Sequence, residues 1–326
     1  VSPSPEDLLS PDELQAAADA ARAGCVLVHD PALSVLRLQG DEVRRWTNGM
    51  FTNNTRRLAP GQGNRHAWCT DRGRVQGVLD LYMTAEDTVV LVLEGVSAED
   101  FAARFRMYLM LDDIELEDLA DPDEGEARAV WTLVGPQTAA VLAAAGLSLP
   151  CSDHGHADHD GVRVLHRDRV GLGGAELLVP ASRQDGLQSA ILEAGATTAP
   201  LQVLDALRVL AGRARWPVDG TEKSLVHELR LNEDCVAFDK GCYVGQEVIN
   251  RIDVRGGVQK RLTQVELSAP TPPGTPVQRD GKELGTLTSV ATLDGRTVGI
   301  GVLRKAAWEP GTELVVGDSA QGTVIG

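Results

Sequence analysis

Asp239-Lys240-Gly241-Cys242-Tyr243-Val244-Gly245-Gln246-Glu247 places a thiol, an ammonium, two glycines and two polar side chains in one short turn. A cation beside a thiol favours the thiolate, which makes Cys242 and Lys240 a candidate reactive pair. Gly241 and Gly245 allow the backbone to approach a ligand closely, and Gln246 and Glu247 can open a following helix. An isolated cysteine in such a turn also reads as a small buried hydrophobe.

On the N-terminal side of this turn, Leu201 to Ala211 reads as a helix with Val203, Leu207 and Leu210 facing inward. On the C-terminal side, after Gly256-Gly257, short strands follow one another: Leu262 to Leu267, Leu284 to Val290, Thr297 to Leu303 and Glu313 to Val316. Pro270-Thr271-Pro272-Pro273-Gly274 and Asp294-Gly295 break them up, a pattern that predicts a small antiparallel barrel or sandwich. Further out, Ser10-Pro11-Asp12-Glu13 is a capping box starting an Ala-rich helix that ends near Gly24. Strands are expected at Cys25 to Val28, Ser34 to Leu38, Val89 to Leu93, Val130 to Val134, Val162 to His166 and Leu177 to Pro180. Helices are expected after Ser97, where Phe101, Phe105 and Tyr108 read as core, after Gly135-Pro136, and over Gln184 to Ala194. Two similar rounds of strand, helix and strand predict an α+β fold. The expected division is residues 1–257, as two interleaved α+β subdomains, and 258–326 as the β-domain.

The chain has 326 residues, 43% of them hydrophobic, with 31 basic against 47 acidic residues and a net charge of -16. That balance disfavours general affinity for nucleic-acid phosphates or anionic membrane. Arg56, Arg57, Arg65, Arg72 and Arg74 nevertheless cluster in one segment that could serve an anionic ligand. Cysteines 25, 69, 151, 235 and 242 show no Cys-x-x-Cys spacing, so neither a disulfide framework nor a zinc ribbon is indicated. Val1 to Asp7 has no basic and apolar leader pattern, and no stretch reaches the roughly 18 apolar residues of a membrane span. A cytoplasmic protein is expected, and a monomer, since no long apolar helix face is left over. No resident metal is expected. His154, His156 and His159, with Asp158, have metal-ligand spacing but sit in a turn-rich stretch that reads as a solvated loop.

The Lys-Gly-Cys-Tyr-x-Gly-Gln-Glu run resembles the signature of the YgfZ family, folate-binding relatives of the glycine-cleavage T protein. Weaker likenesses lie in Leu38-Gln39-Gly40-Asp41 with Asn48 to Asn54, in Gly173 to Pro180, and in Leu207 to Arg213 through Glu228. The resemblance implies three domains in a ring around a central folate cavity, with the small β-barrel as the C-terminal member. It also implies a reduced folate, tetrahydrofolate or a derivative, with Glu228 against the pterin, whose adjacent N–H donors suit one carboxylate. Arg208 and Arg251 become candidates for the glutamate tail, Asn53, Tyr243 and Trp216 for the pocket, and Lys240 to Glu247 for one cavity wall.

The family resemblance further implies support of iron-sulphur cluster assembly or repair, and so of cluster-dependent enzymes such as tRNA-modifying ones. Any cluster would be held only transiently, and client or scaffold proteins would be the partners. One departure bears on mechanism. Aminomethyltransferases carry consecutive aspartates where this chain has Gly77 and Val78, so proton handling at the folate nitrogen lacks a base there. Asp80, on the same strand face as Val78, could substitute only with a shifted ligand, and aminomethyl transfer is the alternative function.

Overall fold

The computed structural model describes residues 9–123 and 125–326; Val1 to Asp7, read above for a leader, lies outside them. Helix α1 (Pro11–Ala23) starts as its capping box dictates, with Glu13 N–H donating to Ser10 Oγ and Ser10 N–H to Glu13 Oε2. The chain continues through β1 (Val26–Val28), β2 (Leu33–Gln39), α2 (Val43–Met50), β3 (Gly63–Cys69), β4 (Val75–Ala85), β5 (Thr88–Glu94), α3 (Ala98–Leu111) and β6 (Glu115–Asp118). Next come β7 (Arg128–Val134), α4 (Thr138–Ala144), β8 (His156–His159), β9 (Val162–His166), β10 (Gly174–Pro180), α5 (Gln184–Glu193), β11 (Thr197–Thr198), α6 (Leu201–Leu210) and α7 (Gln246–Arg255). The C-terminal strands are β12 (Lys260–Leu267), β13 (Pro276–Arg279), β14 (Lys282–Thr286), β15 (Ser289–Leu293), β16 (Arg296–Arg304), β17 (Glu313–Val316) and β18 (Ala320–Val324).

Three sheets result. The first has order β3-β4-β5-β2-β6, the second β11-β1-β7-β10-β9-β8, and the third β14-β13-β17-β18-β12-β16-β15. β1 precedes the first sheet in the chain yet pairs with β7 in the second, which interleaves the two α+β units. One face of the first sheet buries Trp46, Phe51, Trp68, Phe101 and Phe105 beneath α2 and α3. Its other face meets the second sheet through Val35, Tyr82, Val92, Leu165 and Leu178. α4 and α5 cover the far side of the second sheet, so the layers run helix, sheet, sheet, helix. This double coverage explains the continuous apolar run of β5, which is buried on both faces. The third sheet has its own interior and packs on α1 and α6 through Leu262, Leu293 and Ile300. Among the described residues no helix is long and apolar enough to cross a membrane.

Three expectations need correction. The single strand Leu284 to Val290 is two, β14 and β15, because the chain turns a corner at Leu287, whose side chain is buried in the barrel while Thr288 N–H bonds to Ile300 O. Tyr108 is not core: α3 packs by the Phe101, Phe105 and Leu109 stripe, and Tyr108 stands half exposed beside it. An apolar helix face is left over after all, because Met107, Met110 and Leu111 of α3 are exposed.

Candidate functional site

Where the three sheets' units meet they enclose a cavity of about 620 Å³. Arg65 of β3 reaches it from the first unit, and His154, His166, Arg167 and Asp168 from the second. The segment after α6 adds Arg213, the following loop adds Arg230 and Asp234, and β12 closes it with Leu262 and Gln264. Four arginines (65, 167, 213, 230) and four carboxylates (Asp153, Asp168, Glu233, Asp234) therefore face one space. Arg230 sits at φ +60, a left-handed conformation held at the turn entering this loop.

Beneath the cavity runs a buried ion network. Arg65 bridges Glu94 at 3.1 Å and Asp234 at 3.0 Å. Arg169 joins Glu94 at 3.3 Å and also grips Glu176. Asp80 accepts from Arg167 Nε at 3.0 Å and lies 3.0 Å from His154 Nε2. Burial alone would raise the Asp80 carboxyl, yet Arg167, His154 and Arg169 hold it well below the usual carboxylate range. For His154 burial works against the charged ring, and Asp153 and Asp80 outweigh it, raising its pKa. The stretch expected to be a solvated loop is thus a seam: His156 is also buried, on β8, with Nε2 2.8 Å from the Met83 carbonyl. The fold buries these histidines because partners on β4 receive them. Among the described residues no group of His, Cys, Asp or Glu is arranged to hold a metal ion.

The motif loop lies beside the cavity and does not line it. Lys240 is buried, with Nζ donating to the carbonyls of Phe51 at 2.7 Å and Asn53 at 2.6 Å, which draws the loop onto the end of α2. Burial, with Arg56 adding, pushes its ammonium down to about 7. Its Nζ also stands 4.8 Å from the Tyr243 ring centroid. Tyr243 is buried and its hydroxyl has no partner among the described residues. Gly245, at φ +87, abuts the Thr70 to Gly73 turn: a Cβ there would lie 2.6 Å from the Thr70 carbonyl oxygen. These anchors leave Cys242 exposed at the loop's tip, with the Lys240 ammonium turned inward to carbonyls.

The other candidates scatter. Asn53 is nearest the cavity, donating from Nδ2 to the carbonyls of Arg65 and Asp234. Glu228 is buried, accepts from Leu225 N–H at 3.0 Å, and faces a separate cleft of about 590 Å³ toward the barrel, with Lys260 3.9 Å away. Its neighbour Leu229 lines the larger cavity, so this peptide is a wall between the two. Trp216 lines a third cleft, of about 740 Å³, with Trp68, Gln76 and Arg104. Arg208 is committed to Asp219 at 2.7 Å, Asp205 at 2.8 Å and Ser289 at 2.9 Å, a joint between α6 and the barrel. Arg251 is exposed on α7. Of the clustered arginines only Arg65 reaches the cavity; Arg57 pairs with Asp239 and Arg74 bonds to the Lys223 carbonyl.

Positions 77 and 78 have no room for carboxylates. A Cβ on Gly77 would overlap the Trp68 indole, and Val78 is buried beside Trp216, Val226 and Leu229. Asp80 is spent on Arg167 and His154. Sequence reasoning missed Arg167 and Arg230, and it singled out His154 but read it as part of a solvated loop. The available signal for Arg167 was an Arg-Asp-Arg run at 167–169 directly after a strand.

Residues 10–240 match the family model described as the GCVT N-terminal domain, and 259–324 match the CAF17 C-terminal beta-barrel domain. Among similar proteins, an Arabidopsis thaliana protein named "Putative transferase At1g60990, chloroplastic" is 25% identical over 325 residues, covering 94% of this chain and 72% of that one. An aminomethyltransferase of Rubrobacter xylanophilus is 25% identical over 297 residues, covering 88% and 78%. The crystal structure of glycine cleavage system aminomethyltransferase T from Bartonella henselae superposes with a TM-score of 0.88 at 19% identity, covering 98% of this chain and 90% of that one, and so shares its fold.

Proposed function

The chain belongs to the family of the GCVT N-terminal domain, here joined to a CAF17-type β-barrel, and we propose that it binds a reduced folate, tetrahydrofolate or a derivative, in the cavity where its three units meet. One observation carries the reading: about 620 Å³ of space walled by residues of all three units, with four arginines and four carboxylates from the first two units and the segment after α6 facing into it. That size suits a cofactor-sized ligand, and the donor set suits both ends of a folate. Carboxylates such as Asp168 and Asp234 can accept from the pterin's adjacent N–H groups, while Arg213 and Arg230 can take the tail carboxylates in bidentate pairs. Arg65 Nε is buried without a partner among the described residues, a donor left over for a polar ligand. Bound there, tetrahydrofolate would supply a one-carbon acceptor or act as a regulatory ligand. Glu228 fronts the adjoining cleft; if the pterin end occupies that cleft, Glu228 is its partner.

The wider role we infer is accessory: support of iron-sulphur cluster assembly or repair in a cytoplasm-like compartment, and through it of cluster-dependent enzymes such as tRNA-modifying ones. Cys242 is the functional thiol in this reading, for cluster handling or thiol exchange, and its exposure at the tip of an anchored loop supports that use. All five cysteines are unpaired, which suits reducing surroundings. Complementation of cells lacking their own family member tests it. Cys242→Ala should leave the fold intact and abolish rescue; full rescue removes the thiol from the role.

Aminomethyl transfer, the activity in the names of several relatives, is the second reading. The closed positions 77 and 78 weigh against it. Folate-dependent turnover of a methylamine-type substrate by the wild-type chain would restore it.

A further inference from the structure

Asn53 sits between the cavity and the motif loop, and each of its polar groups is already taken up by the protein. Its N–H donates to His66 Nδ1 at 3.0 Å, and its side-chain oxygen accepts from the Asn54 N–H at 2.8 Å. Its Nδ2 donates to the carbonyls of Arg65 at 2.9 Å and Asp234 at 3.1 Å, and its own carbonyl accepts from Lys240 Nζ at 2.6 Å. A residue engaged in this way has no donor left over for a ligand. What it does is join two sets of partners.

Arg65 and Asp234 both face the cavity and pair with each other at 3.0 Å. Lys240 anchors the loop that presents Cys242. A continuous hydrogen-bonded chain thus runs from the Arg65 and Asp234 pair in the cavity wall, through Asn53, to Lys240 and the thiol loop. Thr52 ties the same segment to Cys235 and Ala237, but neither of those lines the cavity. We propose that Asn53 is a positioning residue that couples the cavity to the motif loop, so that a ligand in the cavity governs how firmly the Cys242 loop is docked. The coupling rests on the folate reading of that cavity. A ligand pairing with Arg65 and Asp234 restrains the two backbone segments whose carbonyls receive the Asn53 amide. With both acceptors held, Asn53 keeps its own carbonyl against the Lys240 ammonium, and the docked loop is favoured over the released one. The effect is reciprocal: the factor by which the ligand favours docking is the factor by which docking favours the ligand.

Amide hydrogen exchange on the full chain, with and without saturating tetrahydrofolate, measures it, with the barrel strands as internal reference. The expected result in wild type is exchange over residues 239–247 slowed about fivefold or more by the ligand. Asn53→Ala, which leaves Lys240 its two backbone acceptors, should still bind yet lose that slowing. Binding by wild type with unchanged exchange there, or slowing that survives in Asn53→Ala, overturns the coupling and leaves the folate reading standing. The reciprocal arm needs no Asn53 variant: Lys240→Met should bind tetrahydrofolate about fivefold or more weakly, and unchanged affinity overturns the proposal. A wild type that does not bind tetrahydrofolate removes the folate reading instead, and the coupling is then decided without ligand. Arg65→Met should accelerate exchange over 239–247 in wild type and not in the Asn53→Ala background; equal acceleration in both, or none in either, overturns it.

Discussion

Asp80 on β4 and His154, 74 residues later in the chain, hydrogen-bond at 3.0 Å across the seam between the first two sheets. The pair is buried, Arg167 completes it, and it lies under the cavity proposed to take the folate.

The seam should make stability depend on pH in a defined direction. The folded pKa of His154 is raised, so its contribution is fully present below the unfolded value of about 6.5 and is lost as pH rises through the folded pKa. Asp80 is depressed, so its contribution is present above about 3.9 and disappears only in stronger acid. Lys240, its ammonium pushed down to about 7, acts in the opposite sense over part of this range, so the His154 contribution is read as a difference: in chemical denaturation from about pH 6 to about pH 9 the stability advantage of wild type over His154→Gln should shrink as pH rises. Equal slopes would mean that His154 does not titrate in this window.

Removing one member of a buried ion pair strands the other's charge. Asp80→Ala should cost about 3–5 kcal/mol, more than any exposed pair such as Arg57 with Asp239. Differential scanning calorimetry of Asp80→Ala and of Asp239→Ala checks the ranking, and similar losses would contradict it.

Much of this architecture was legible in the sequence and much of the site was not, for physical reasons. Capping boxes, apolar periods and turn residues act locally, so α1, the Phe101 and Phe105 stripe and most barrel strands could be read from their own segments. Whether a histidine is solvated or buried depends on what faces it, and Asp80 and the Met83 carbonyl come from another sheet. The same holds for the cavity: Arg65, Arg167, Arg213 and Arg230 are far apart in sequence, and only the meeting of three units puts them in one space. The signature run correctly marked a special loop. Its lysine, however, anchors that loop to Phe51 and Asn53.

Lys240→Met should therefore loosen the motif loop. Two carbonyls lose a donor, a cost of about 1–3 kcal/mol, and amide exchange should accelerate over residues 239–247 specifically. Unchanged exchange there would show that Gly245 and the Val244 N–H bond to Gly49 O suffice to hold the loop.

Thiol labelling under native conditions should find two fast cysteines, Cys151 and Cys242, with Cys25, Cys69 and Cys235 protected by burial. Burial pushes the Cys69 thiol up to about 12, which slows it further. Cys242→Ser should remove one fast equivalent. Retention of both would place Cys242 out of reach.

Gly77→Asp, which restores one carboxylate of the aminomethyltransferase pattern, should be destabilising by about 1–3 kcal/mol or more because the Trp68 indole occupies the space. Adding Trp68→Ala should relieve part of that cost in a double-mutant cycle. Additive losses would contradict the steric account.

The most direct test of the central claim is calorimetric titration of tetrahydrofolate into the wild-type chain, the Arg213→Ala, Arg230→Ala double variant, and Glu228→Ala. Saturable one-to-one binding by wild type, weakened roughly tenfold or more in the arginine double variant, is the predicted result. No binding by wild type, or binding that the arginine variant leaves intact, would contradict a folate in the three-unit cavity; loss in Glu228→Ala alone would move it to the barrel-side cleft.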